Sequence, residues 1–520
     1  MTAAALGESM TPNRIDHVFA QAALTHPDRT HLVLEDGGTA TYAQTYARAA
    51  ALAGGFAAAG IAPGDRVAGF MRNSREVAEF FVACGIANVI GVALNGMSTK
   101  RELVGIFADC EPRGIVAEAG FLDRVPDSAG LHLRVTTQTA SPPEGWTDYD
   151  ALIATASPAQ SQAVASADDP AMMIYSSGTT GAPKGILLRH GALVENARMT
   201  QSVLKSDARD RHMTILPLFS SFGFAFDFVQ VGLLRASVVI QQQFDERQAV
   251  ELIARHRVSF MAAVPTMLAR MFDPGVIGDL DLSCVRLIDV GGGPVAPRLK
   301  AMLAEDYGIE VVESYGLTEI SPVASVQVPG EERALGSCGA PLPGIECRIM
   351  GLDGSLAGVD QPGELQFRGP TLMIGYWNQP ELTAETLKDG WLRSGDVGRI
   401  DPQGNIHILD RTKDMIVANG FNVYPKEVEN VIADLEEVQS VAVVGMNDDI
   451  EGERIHGFIV LKPGAVLNER QVLECCTAGL SNYKRPRKVH FIEAMPLTGS
   501  GKIRRVQLRE MLAGNKEETT

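Results

Sequence analysis

The residues of this chain that are best suited to chemistry form one polar loop between two apolar runs. The run from Met172 to Tyr175 is typical of a buried strand. It is followed by hydroxyl side chains and glycines, namely Ser176, Ser177, Gly178, Thr179, Thr180, Gly181 and Gly185. Hydroxyl donors, together with glycines that let successive backbone N–H groups turn inward, form a concave site for an anion. Because Lys184 adds a positive charge there, we predict a phosphate-binding loop.

Two other interpretations of this loop are a flexible connector and a P-loop. A connector does not need a Lys-Gly pair directly before another apolar run, as Lys184-Gly185 is here. The P-loop pattern Gly-x-x-x-x-Gly-Lys-[Ser/Thr] cannot be laid over Lys184, so the fold of a P-loop hydrolase is not implied. The rest of the chain must therefore supply the partners of a different kind of phosphate loop.

Length and charge limit what those partners are. With 520 residues the chain exceeds one compact core, and a usual domain size of about 100–200 residues predicts two to four units. The 46 basic and 63 acidic side chains give a formal net charge of −17. This charge argues against binding to nucleic acid or to an anionic membrane, since both require clustered Lys and Arg.

Cysteines, histidines and apolar segments exclude further classes of protein. The 7 cysteines include no C-x-x-C pair, which predicts reduced thiols and a cytoplasmic protein. The 10 histidines lack the spacing of a zinc site. The chain does not begin with a basic segment and an apolar core, so we expect no signal peptide. Its most apolar stretch, Phe80 to Leu94, is too short for a membrane span and is predicted to be a helix followed by a buried strand.

The order of the predicted elements indicates an α/β fold. Helical and strand patterns alternate between Thr41 and Leu94, which favours a mostly parallel sheet. Between Leu335 and Arg399 short β-prone runs separated by Gly and Pro predict a small β subdomain. Beyond Asn419 a helix, two strands and a final basic helix indicate a compact α+β domain.

Two further segments are candidates for contact with a ligand: a run of glycines after a predicted strand, and a segment of alternating aromatic and small residues. Glycines 291 to 293 follow a strand that ends at Val290, and glycines at the carboxyl end of a parallel strand let a flat base or an acyl chain approach the backbone. The segment from Ile215 to Phe226 alternates aromatic and small residues without the charges of a solvated helix. Its pattern alone fits the N-terminus of a core helix as well as the lining of a pocket.

The sequence YSSGTTGAPKG, from Tyr175 to Gly185, resembles the signature loop of the adenylate-forming superfamily of acyl-CoA synthetases, luciferases and nonribosomal adenylation domains. The resemblance extends from about Asp16 to Arg509. It implies a large N-terminal domain, made of two α/β sheet subdomains and a small β-barrel-like subdomain, and a small mobile C-terminal α+β domain. The predicted boundaries are residues 1–412 and 413–520, with a hinge at Lys413.

The resemblance also implies how ATP and Mg²⁺ are bound. In the family the phosphate loop, here Ser176 to Lys184, holds the β- and γ-phosphates. The motif Tyr-Gly-x-Thr-Glu stacks the adenine on its tyrosine, here Tyr315. It contacts the α-phosphate through Thr318 and binds Mg²⁺ through Glu319. Gly292 and Gly293 are expected beside the nucleotide.

Four residues nearer the C-terminus match the family at positions that would otherwise be read as a turn or as solvated charges. The resemblance implies that Asp396 binds the ribose hydroxyls and that Arg411 reaches the nucleotide. Gly420 is implied to lie in the loop beside the thiol tunnel. Lys502, on a glycine-flanked loop before the final helix, is implied to be the catalytic lysine.

The acyl pocket is implied to be lined by Ser220, Ser221, Phe222, Gly223, Gly291 and Gly316. Many acyl-CoA ligases carry a histidine or an aromatic residue at the position of Ser220. Because this chain has a serine there, the role of the histidine is not assigned to Ser220. Small side chains leave apolar volume that a ligand must fill. We therefore expect a bulky, rigid hydrophobic acid, aryl or polycyclic.

The implied reaction is a two-step ligation with ATP, Mg²⁺ and coenzyme A. A carboxylate attacks MgATP to give acyl-AMP and pyrophosphate, and the thiol of coenzyme A then displaces AMP. The alternatives left open are a ligase that mainly completes the thioester from acyl-AMP made elsewhere, a carrier-protein ligase and a luciferase-type oxygenase. A nonribosomal adenylation domain is disfavoured because Asp227 lies too near the apolar strand Ser237 to Ile240 to meet an α-amino group.

Overall fold

The computed structural model describes residues 11–128, 130–139, 141–161, 165–176, 184–351, 353–411, 414, 416–418, 421–448, 452–497 and 503–517. Contacts divide the chain into two compact units, one of Met1–Cys347 with Phe367–Leu392 and one of Arg348–Gln366 with Arg393–Thr520. The predicted boundary between residues 412 and 413 stays a prediction.

The strands, numbered in chain order, are β1 (Thr30–Val33), β2 (Thr39–Thr41), β3 (Arg66–Phe70), β4 (Ile90–Ala93), β5 (Gly114–Glu118), β6 (Leu133–Thr137), β7 (Thr147–Asp148), β8 (Pro170–Ser176), β9 (Lys184–Arg189), β10 (Arg211–Thr214), β11 (Ser237–Ile240), β12 (Phe260–Ala263), β13 (Leu287–Val290), β14 (Glu310–Gly316), β15 (Val323–Val326), β16 (Ala340–Pro341), β17 (Glu346–Met350), β18 (Gly363–Arg368), β19 (Gly375–Tyr376), β20 (Leu387–Lys388), β21 (Trp391–Ile400), β22 (Ile406–Arg411), β23 (Ile416–Ala418), β24 (Phe421–Val423), β25 (Val438–Asp448), β26 (Gly452–Leu461) and β27 (Lys488–Phe491).

The helices are α1 (Ile15–Thr25), α2 (Tyr42–Ala58), α3 (Arg75–Ala87), α4 (Lys100–Cys110), α5 (Tyr149–Thr155), α6 (His190–Leu204), α7 (Ser221–Phe224), α8 (Val231–Leu234), α9 (Glu246–His256), α10 (Pro265–Met271), α11 (Pro274–Ile277), α12 (Pro297–Tyr307), α13 (Pro380–Thr386), α14 (Pro425–Ala433), α15 (Glu469–Gly479) and α16 (Arg505–Glu517). A π-helical turn, Ala225–Gln230, joins α7 to α8. Among the described residues no helix combines the length and the apolar composition that crossing a bilayer requires.

The first unit contains two large sheets with parallel centres. One has the strand order β16-β15-β14-β13-β12-β10-β11-β1-β2, and the other has the order β19-β9-β8-β4-β3-β5-β6-β7. Strands β14, β13, β12, β10, β11 and β1 run parallel, as do β8, β4, β3, β5, β6 and β7. Antiparallel strands are added at the edges. The predicted α/β fold with mostly parallel sheets is confirmed.

Local sequence signals explain where the helices of this unit begin. Helix α3 begins at Arg75, because the Ser74 hydroxyl accepts a hydrogen bond of 3.3 Å from the N–H of Val77. Helix α7 begins in the same way, since the Ser220 hydroxyl accepts 3.2 Å from the N–H of Gly223. The segment with alternating aromatic and small residues therefore does form the N-terminus of a buried helix.

A buried guanidinium fixes the start of the first unit. Arg14 is fully buried, and its Nε lies 3.0 Å from Oδ1 of Asp16. Its Nη1 donates 2.6 Å to the carbonyl of Ser166, and its Nη2 donates 3.0 Å to the carbonyl of Gly85. Because β8 begins four residues after Ser166, this guanidinium ties α1 and α3 to the segment that leads into β8.

The remaining sheets are smaller. The third sheet has the order β17-β18-β21-β20, with β22 on β21, and it accounts for the predicted small β subdomain. In the second unit a fourth sheet has the order β24-β23-β26-β25, with β27 on β26. Arg505, at the start of α16, donates 2.7 Å to Oε1 of Glu429 on α14, and this oxygen also accepts 2.9 Å from the N–H of Val443. The predicted compact α+β unit is confirmed.

We predict that Arg14→Met lowers the free energy of unfolding by about 3 kcal/mol, because it leaves the buried carboxylate of Asp16 without its partner. Urea denaturation followed by circular dichroism measures the change. The control is Arg209→Met, which removes an ion pair to Asp207 whose arginine side chain is 91% exposed, and we expect no measurable loss there. Equal effects of the two substitutions would contradict the prediction.

Candidate active site

The predicted phosphate loop connects the two strands of an antiparallel hairpin. Ser176 at the end of β8 pairs with Lys184 at the start of β9, and Tyr175 pairs with Gly185. Both ends of the loop are thus held by the second large sheet, in which β8 is followed by the parallel strands β4, β3 and β5. The loop residues Ser177, Gly178, Thr179, Thr180 and Gly181 lie outside the described residues, so their predicted role is not tested.

A tyrosine brings Lys184 and Glu319 to the same place. Strand β19 pairs with β9, so that Tyr376 lies opposite Ile186. The hydroxyl of Tyr376 donates 2.9 Å to Oε1 of Glu319, and Nζ of Lys184 lies 5.7 Å from the centroid of the tyrosine ring. The N–H of Met373 also donates 2.8 Å to the backbone carbonyl of Glu319. A cation and an anion separated by 135 positions in the sequence (319 − 184) therefore border one aromatic ring.

The carboxylate of Glu319 has the features that a magnesium ligand requires. Burial, and then the adjacent Glu319 charge, raise the pKa of Tyr376, so the phenol stays protonated and donates to the carboxylate. Among the described residues no group of three or more His, Cys, Asp or Glu side chains is arranged to hold a metal. A single carboxylate suits Mg²⁺, which keeps several waters and takes its other ligands from phosphates. Glu319 therefore fits an ion that arrives with a nucleotide.

The segment between β14 and β15 requires a glycine for steric reasons. A Cβ on Gly316 would lie 1.9 Å from the carbonyl oxygen of Pro322, and this carbonyl accepts 2.9 Å from the N–H of Leu317. This close approach of two backbones turns the chain directly after Tyr315. The ring of Tyr315 lies 5.9 Å from that of Phe367, in a tilted arrangement. The turn thus separates Tyr315 from the short 3₁₀ helix that carries Thr318 and Glu319.

The predicted pocket residues meet Thr318. The hydroxyl of Ser221 lies 3.1 Å from that of Thr318. A Cβ on Gly291 would lie 2.9 Å from Cζ of Phe222 and 3.2 Å from the Ser314 hydroxyl. The absence of a side chain at Gly291 therefore lets the ring of Phe222 pack against the backbone at the end of β13. The pocket segment, Gly291 and Thr318 lie close together, and their roles as site residues stay predictions.

Ser220 and Gly223 have local contacts instead. The Ser220 hydroxyl donates 2.7 Å to the carbonyl of Pro217 while it caps α7. A Cβ on Gly223 would lie 2.6 Å from the same carbonyl. Both residues therefore shape the bend that leads into α7. Gly292 and Gly293 face Val264 and Pro265 at 3.6 and 3.5 Å from their ideal Cβ positions.

The loop that contains Gly292 and Gly293 is anchored by a buried carboxylate. Oε2 of Glu313 accepts 3.1 Å from the N–H of Val295, and Lys300 forms an ion pair with the same carboxylate. Because Glu313 lies on β14, it joins this loop to the strand that carries Tyr315. The sequence pattern contained no signal for this contact.

In the second unit Asp396 and Arg411 are cross-strand neighbours. Asp396 on β21 pairs with Arg411 on β22. Asp396 is buried, and its N–H donates 3.0 Å to the Ser394 hydroxyl. The three remaining predicted residues, Lys413, Gly420 and Lys502, lie outside the described residues. Strands β23 and β24 pair on either side of Gly420, and Leu497 pairs with Ile503 on either side of Lys502.

Comparisons with known proteins bear on what this arrangement does. Residues 19–377 match the family model described as AMP-binding enzyme, and residues 427–502 match the model described as AMP-binding enzyme C-terminal domain. The chain belongs to the AMP-binding enzyme family. It has a large N-terminal and a small C-terminal domain, and it is an ATP-dependent acid–thiol ligase.

Relatives of this ligase cover almost its whole length. It is 33% identical over 497 residues to an indoleacetate–CoA ligase of Aromatoleum aromaticum, and the aligned region covers 93% of this chain and 97% of that protein. It is 32% identical over 518 residues to the 3-[(3aS,4S,7aS)-7a-methyl-1,5-dioxo-octahydro-1H-inden-4-yl]propanoyl:CoA ligase of Mycobacterium tuberculosis, with coverage of 96% and 98%. The crystal structure of the anthranilate CoA ligase AuaEII in complex with anthranoyl-AMP is similar at a TM-score of 0.89 and 26% identity, with coverage of 99% and 100%.

Tyr376 is the site residue that the sequence analysis of this ligase missed. It was recognised only as part of a short β-prone run, because its place beside Lys184 and Glu319 depends on the pairing of β19 with β9. A tyrosine in a two-residue edge strand carries no local signal of function. Its contacts alone identify it as the residue that orients Glu319.

We predict that Tyr376→Phe raises the Mg²⁺ concentration for half-maximal pyrophosphate exchange by about tenfold, because groups that orient a metal ligand contribute about that much to affinity. Acid-dependent exchange of labelled pyrophosphate into ATP, titrated with Mg²⁺, measures it. Tyr149→Phe is the matched control, since Tyr149 also donates 2.9 Å to a glutamate, Oε2 of Glu79, elsewhere in the first unit. The same shift in both variants would show that Tyr376 has no special role.

Proposed function

We propose that this ligase converts a bulky hydrophobic carboxylic acid to its coenzyme A thioester through an acyl-AMP. The observation that carries the proposal is the ring of Phe222 packed against the bare backbone at Gly291, which gives the pocket an apolar aromatic wall beside the contact of Ser221 with Thr318. The names of the relatives support it, because indoleacetate and a methyl-octahydroindenyl propanoate are both bicyclic acids. The aryl acid of the AuaEII complex points in the same direction.

In the first half-reaction a carboxylate oxygen attacks the α-phosphorus of ATP and pyrophosphate leaves. Negative charge gathers on phosphate oxygens, so catalysis consists mainly of positioning and electrostatic stabilisation. Lys184 and the loop before it stabilise the leaving pyrophosphate, and Thr318 contacts the α-phosphate. Glu319, oriented by Tyr376, would hold Mg²⁺, and the ion would supply positive charge to the phosphates. Lys502 is assigned to the carboxylate and the α-phosphate on the basis of the family resemblance.

In the second half-reaction the thiol of coenzyme A attacks the acyl carbonyl and AMP leaves. The bond between the acyl carbon and the phosphate oxygen breaks, and AMP leaves with the electron pair of that bond. The family resemblance assigns Lys502 to the first half-reaction only, so we expect the second to proceed without it. Gly420 is assigned to the approach of the pantetheine arm, because a glycine lets a ligand pass close to the backbone. The two half-reactions therefore depend on different residues of the chain.

A panel of acids tests the proposed substrate class. Acetate, butyrate, phenylacetate, indole-3-acetate and 2-naphthylacetate are each incubated with ATP and coenzyme A, and acyl-AMP and acyl-CoA are measured by mass. We expect kcat/KM for the bicyclic acids to exceed that for acetate by at least about tenfold. Preference for acetate would contradict the proposal. Acyl-AMP without acyl-CoA would assign the thiol to a carrier protein, and thiolysis without adenylation would indicate a ligase supplied with acyl-AMP.

We predict that Gly291→Ala lowers kcat/KM for 2-naphthylacetate by about tenfold and affects butyrate much less, because the added methyl group lies 2.9 Å from the ring of Phe222. Steady-state kinetics with the two acids measures the difference. Gly105→Ala, where a Cβ meets nothing within 4 Å, is the control and should leave both values unchanged. A uniform loss with both acids would mean that Gly291 serves the fold rather than the pocket.

We predict that Lys502→Ala and Gly420→Leu impair opposite half-reactions. Loss of the lysine charge should slow acyl-AMP formation by a factor of about 100 or more and spare thiolysis of supplied acyl-AMP, because the role that the family resemblance implies for Lys502, at the carboxylate and the α-phosphate, belongs to the first step. The leucine side chain should block thiolysis and spare adenylation. Each variant serves as the control for the other in single-turnover assays. Equal loss in both steps for either variant would refute its assigned role.

A further inference from the structure

A cluster of buried polar side chains lies on the sheet face beneath the candidate acyl pocket. This polar cluster consists of Asp227 and Gln230 on the π-helical turn, Asp289 on β13 and His212 on β10. Each of the four is at most 1% exposed. The π-helical turn packs on β10 and β12, so its side chains face the same sheet as Asp289 and His212. The established activity uses none of the four.

The register of the parallel strands places the cluster directly below the pocket. Gly291, which follows β13, is opposite Phe222 and Ser314 at the top of this face. Side chains alternate along a strand, so Asp289 lies on the same face about 7 Å further from the strand end. The Ser314 hydroxyl, next to the Cβ position of Gly291, also donates 3.2 Å to Oδ2 of Asp289. Asp289 therefore lies one row deeper than Gly291 on the same face of the sheet, where a row is a set of aligned residues on adjacent strands.

The neighbouring strands extend that row. Met213 aligns with Met261 on β12, and Ala262 aligns with Asp289 on β13, so Thr214, which follows Met213, belongs to the same row. Burial, and to a smaller extent the nearby Asp289 carboxyl, raise the pKa of Asp227, so the carboxyl of the π-helical turn is within electrostatic reach of this row. His212 lies one row deeper, with its ring 4.6 Å from that of Phe260. The polar cluster thus occupies two consecutive rows below the pocket.

Most polar atoms of the cluster have no hydrogen-bond partner among the described residues. They are both carboxyl oxygens of Asp227, both amide atoms of Gln230, both ring nitrogens of His212 and Oδ1 of Asp289. The Thr214 hydroxyl faces Asp227 but donates 2.9 Å to the carbonyl of Leu216. Folded proteins leave few buried polar groups unpaired, because each one is destabilising. So many in one place indicate a site that is completed by a bound group.

The opposite face of the same strands shows that this polarity is local. Met213, Met261, Ile288 and Val290 alternate with the polar positions along the strands and belong to an apolar core. Other buried polar atoms without partners are distributed over the described residues, but in this cluster four such side chains belong to one sheet face or to the turn that packs on it.

The cluster offers hydrogen-bond donors and acceptors but no positive charge. Burial raises the pKa of Asp227 far above its ordinary value and that of Asp289 to about 7, and burial lowers the pKa of His212 to about 4. The nearby Arg286 donates 2.8 Å from its Nε to Asp210, so its charge is already paired. An acid with a second carboxylate would find no free cation here among the described residues. A hydroxyl or a ketone would find both donors and acceptors.

We propose that the polar cluster binds a neutral oxygen function, a hydroxyl or a ketone, at the end of the acid that is remote from its carboxylate. This inference rests on the proposed function, because it assumes that the acid enters over Gly291 and Phe222. It narrows the substrate class from any bulky hydrophobic acid to an acid that also carries a hydrogen-bonding group. That group would lie about 7–14 Å below Gly291, which corresponds to one or two rows of the sheet. Asp227 and Gln230 are the specificity-determining residues.

Matched acids test the inference on the full-length enzyme. The probes are 2-naphthylacetate and its 6-hydroxy, 6-methyl and 6-aminomethyl derivatives, with 3-phenylpropanoate and its 4-hydroxy derivative as a shorter pair. Pyrophosphate exchange gives kcat/KM for each. We expect the hydroxy acid to exceed both its parent and the methyl derivative by at least about tenfold in one or both series, since a site built to bind a hydroxyl strongly rejects the analogue without it.

Substitutions in the cluster provide the second arm. Asp227→Leu and Gln230→Leu should abolish or reverse the preference for the hydroxy acid while activity with the unsubstituted acid is kept or increased. Thr136→Val is the matched control, because its buried hydroxyl is also without a partner but lies on β6 in the other large sheet. It should retain the wild-type preference. Thermal unfolding of each variant verifies folding, and the comparison of acids on the wild-type enzyme stands even if a variant does not fold.

The outcomes distinguish failure of this inference from failure of the proposed function. If no acid of the panel is activated, the proposed function fails and the inference falls with it. If the acids are activated but the hydroxy and parent acids are used equally well in both series, the proposed function stands and the inference is overturned. Preference for the aminomethyl acid would also overturn it, because the cluster would then be recognising a cation. Loss of the preference in Thr136→Val would mean that it does not arise at the cluster.

Discussion

The antiparallel pairing of β9 between β8 and β19 is the constraint on which the active site of the first unit depends. Pairing with β8 closes the phosphate loop at Ser176 and Lys184, and pairing with β19 places Tyr376 beside Lys184. The hydroxyl of Tyr376 then orients Glu319. One strand thereby positions the cation that we assign to the leaving phosphates and, through Tyr376, the anion that we assign to the metal. Because strand pairing consists of backbone hydrogen bonds, the main chain of β9 holds Tyr376 beside Lys184.

The carboxyl ends of the parallel strands lie where we place the acid. Strand β13 ends in glycines where an acyl group must approach, and β14 ends in the turn that presents Thr318 and Glu319. The carboxylate of Glu313 joins the two by holding the N–H of Val295. Ligands of open parallel sheets bind at this edge because the loops leave it open. The same sheet therefore supports both substrates of the ligation.

Stability and specificity are distributed differently over the two faces of that sheet. One face is an apolar core that is packed as in other proteins. The face beneath the pocket carries Asp227, Asp289 and His212 without full hydrogen bonding. Unpaired buried groups lower the stability of the empty enzyme, and in our proposal they raise the discrimination between acids that do and do not satisfy them. Well-satisfied groups elsewhere, such as the guanidinium of Arg14, hold the scaffold in place.

The sequence by itself determined the reaction class and the order of the elements, and it nominated candidate site residues in the first unit. It could do so because a phosphate loop, a strand that ends in glycines and a Tyr-Gly-x-Thr-Glu turn are local patterns of residue type. Only the tertiary structure decided which of these residues meet. Tyr376 reaches Glu319 across 57 positions, and Ser221 reaches Thr318 across 97. It also showed that Ser220 caps a helix and that Asp227 faces Asp289, because strand register and burial, which arise from contacts distant in sequence, determine what each side chain touches.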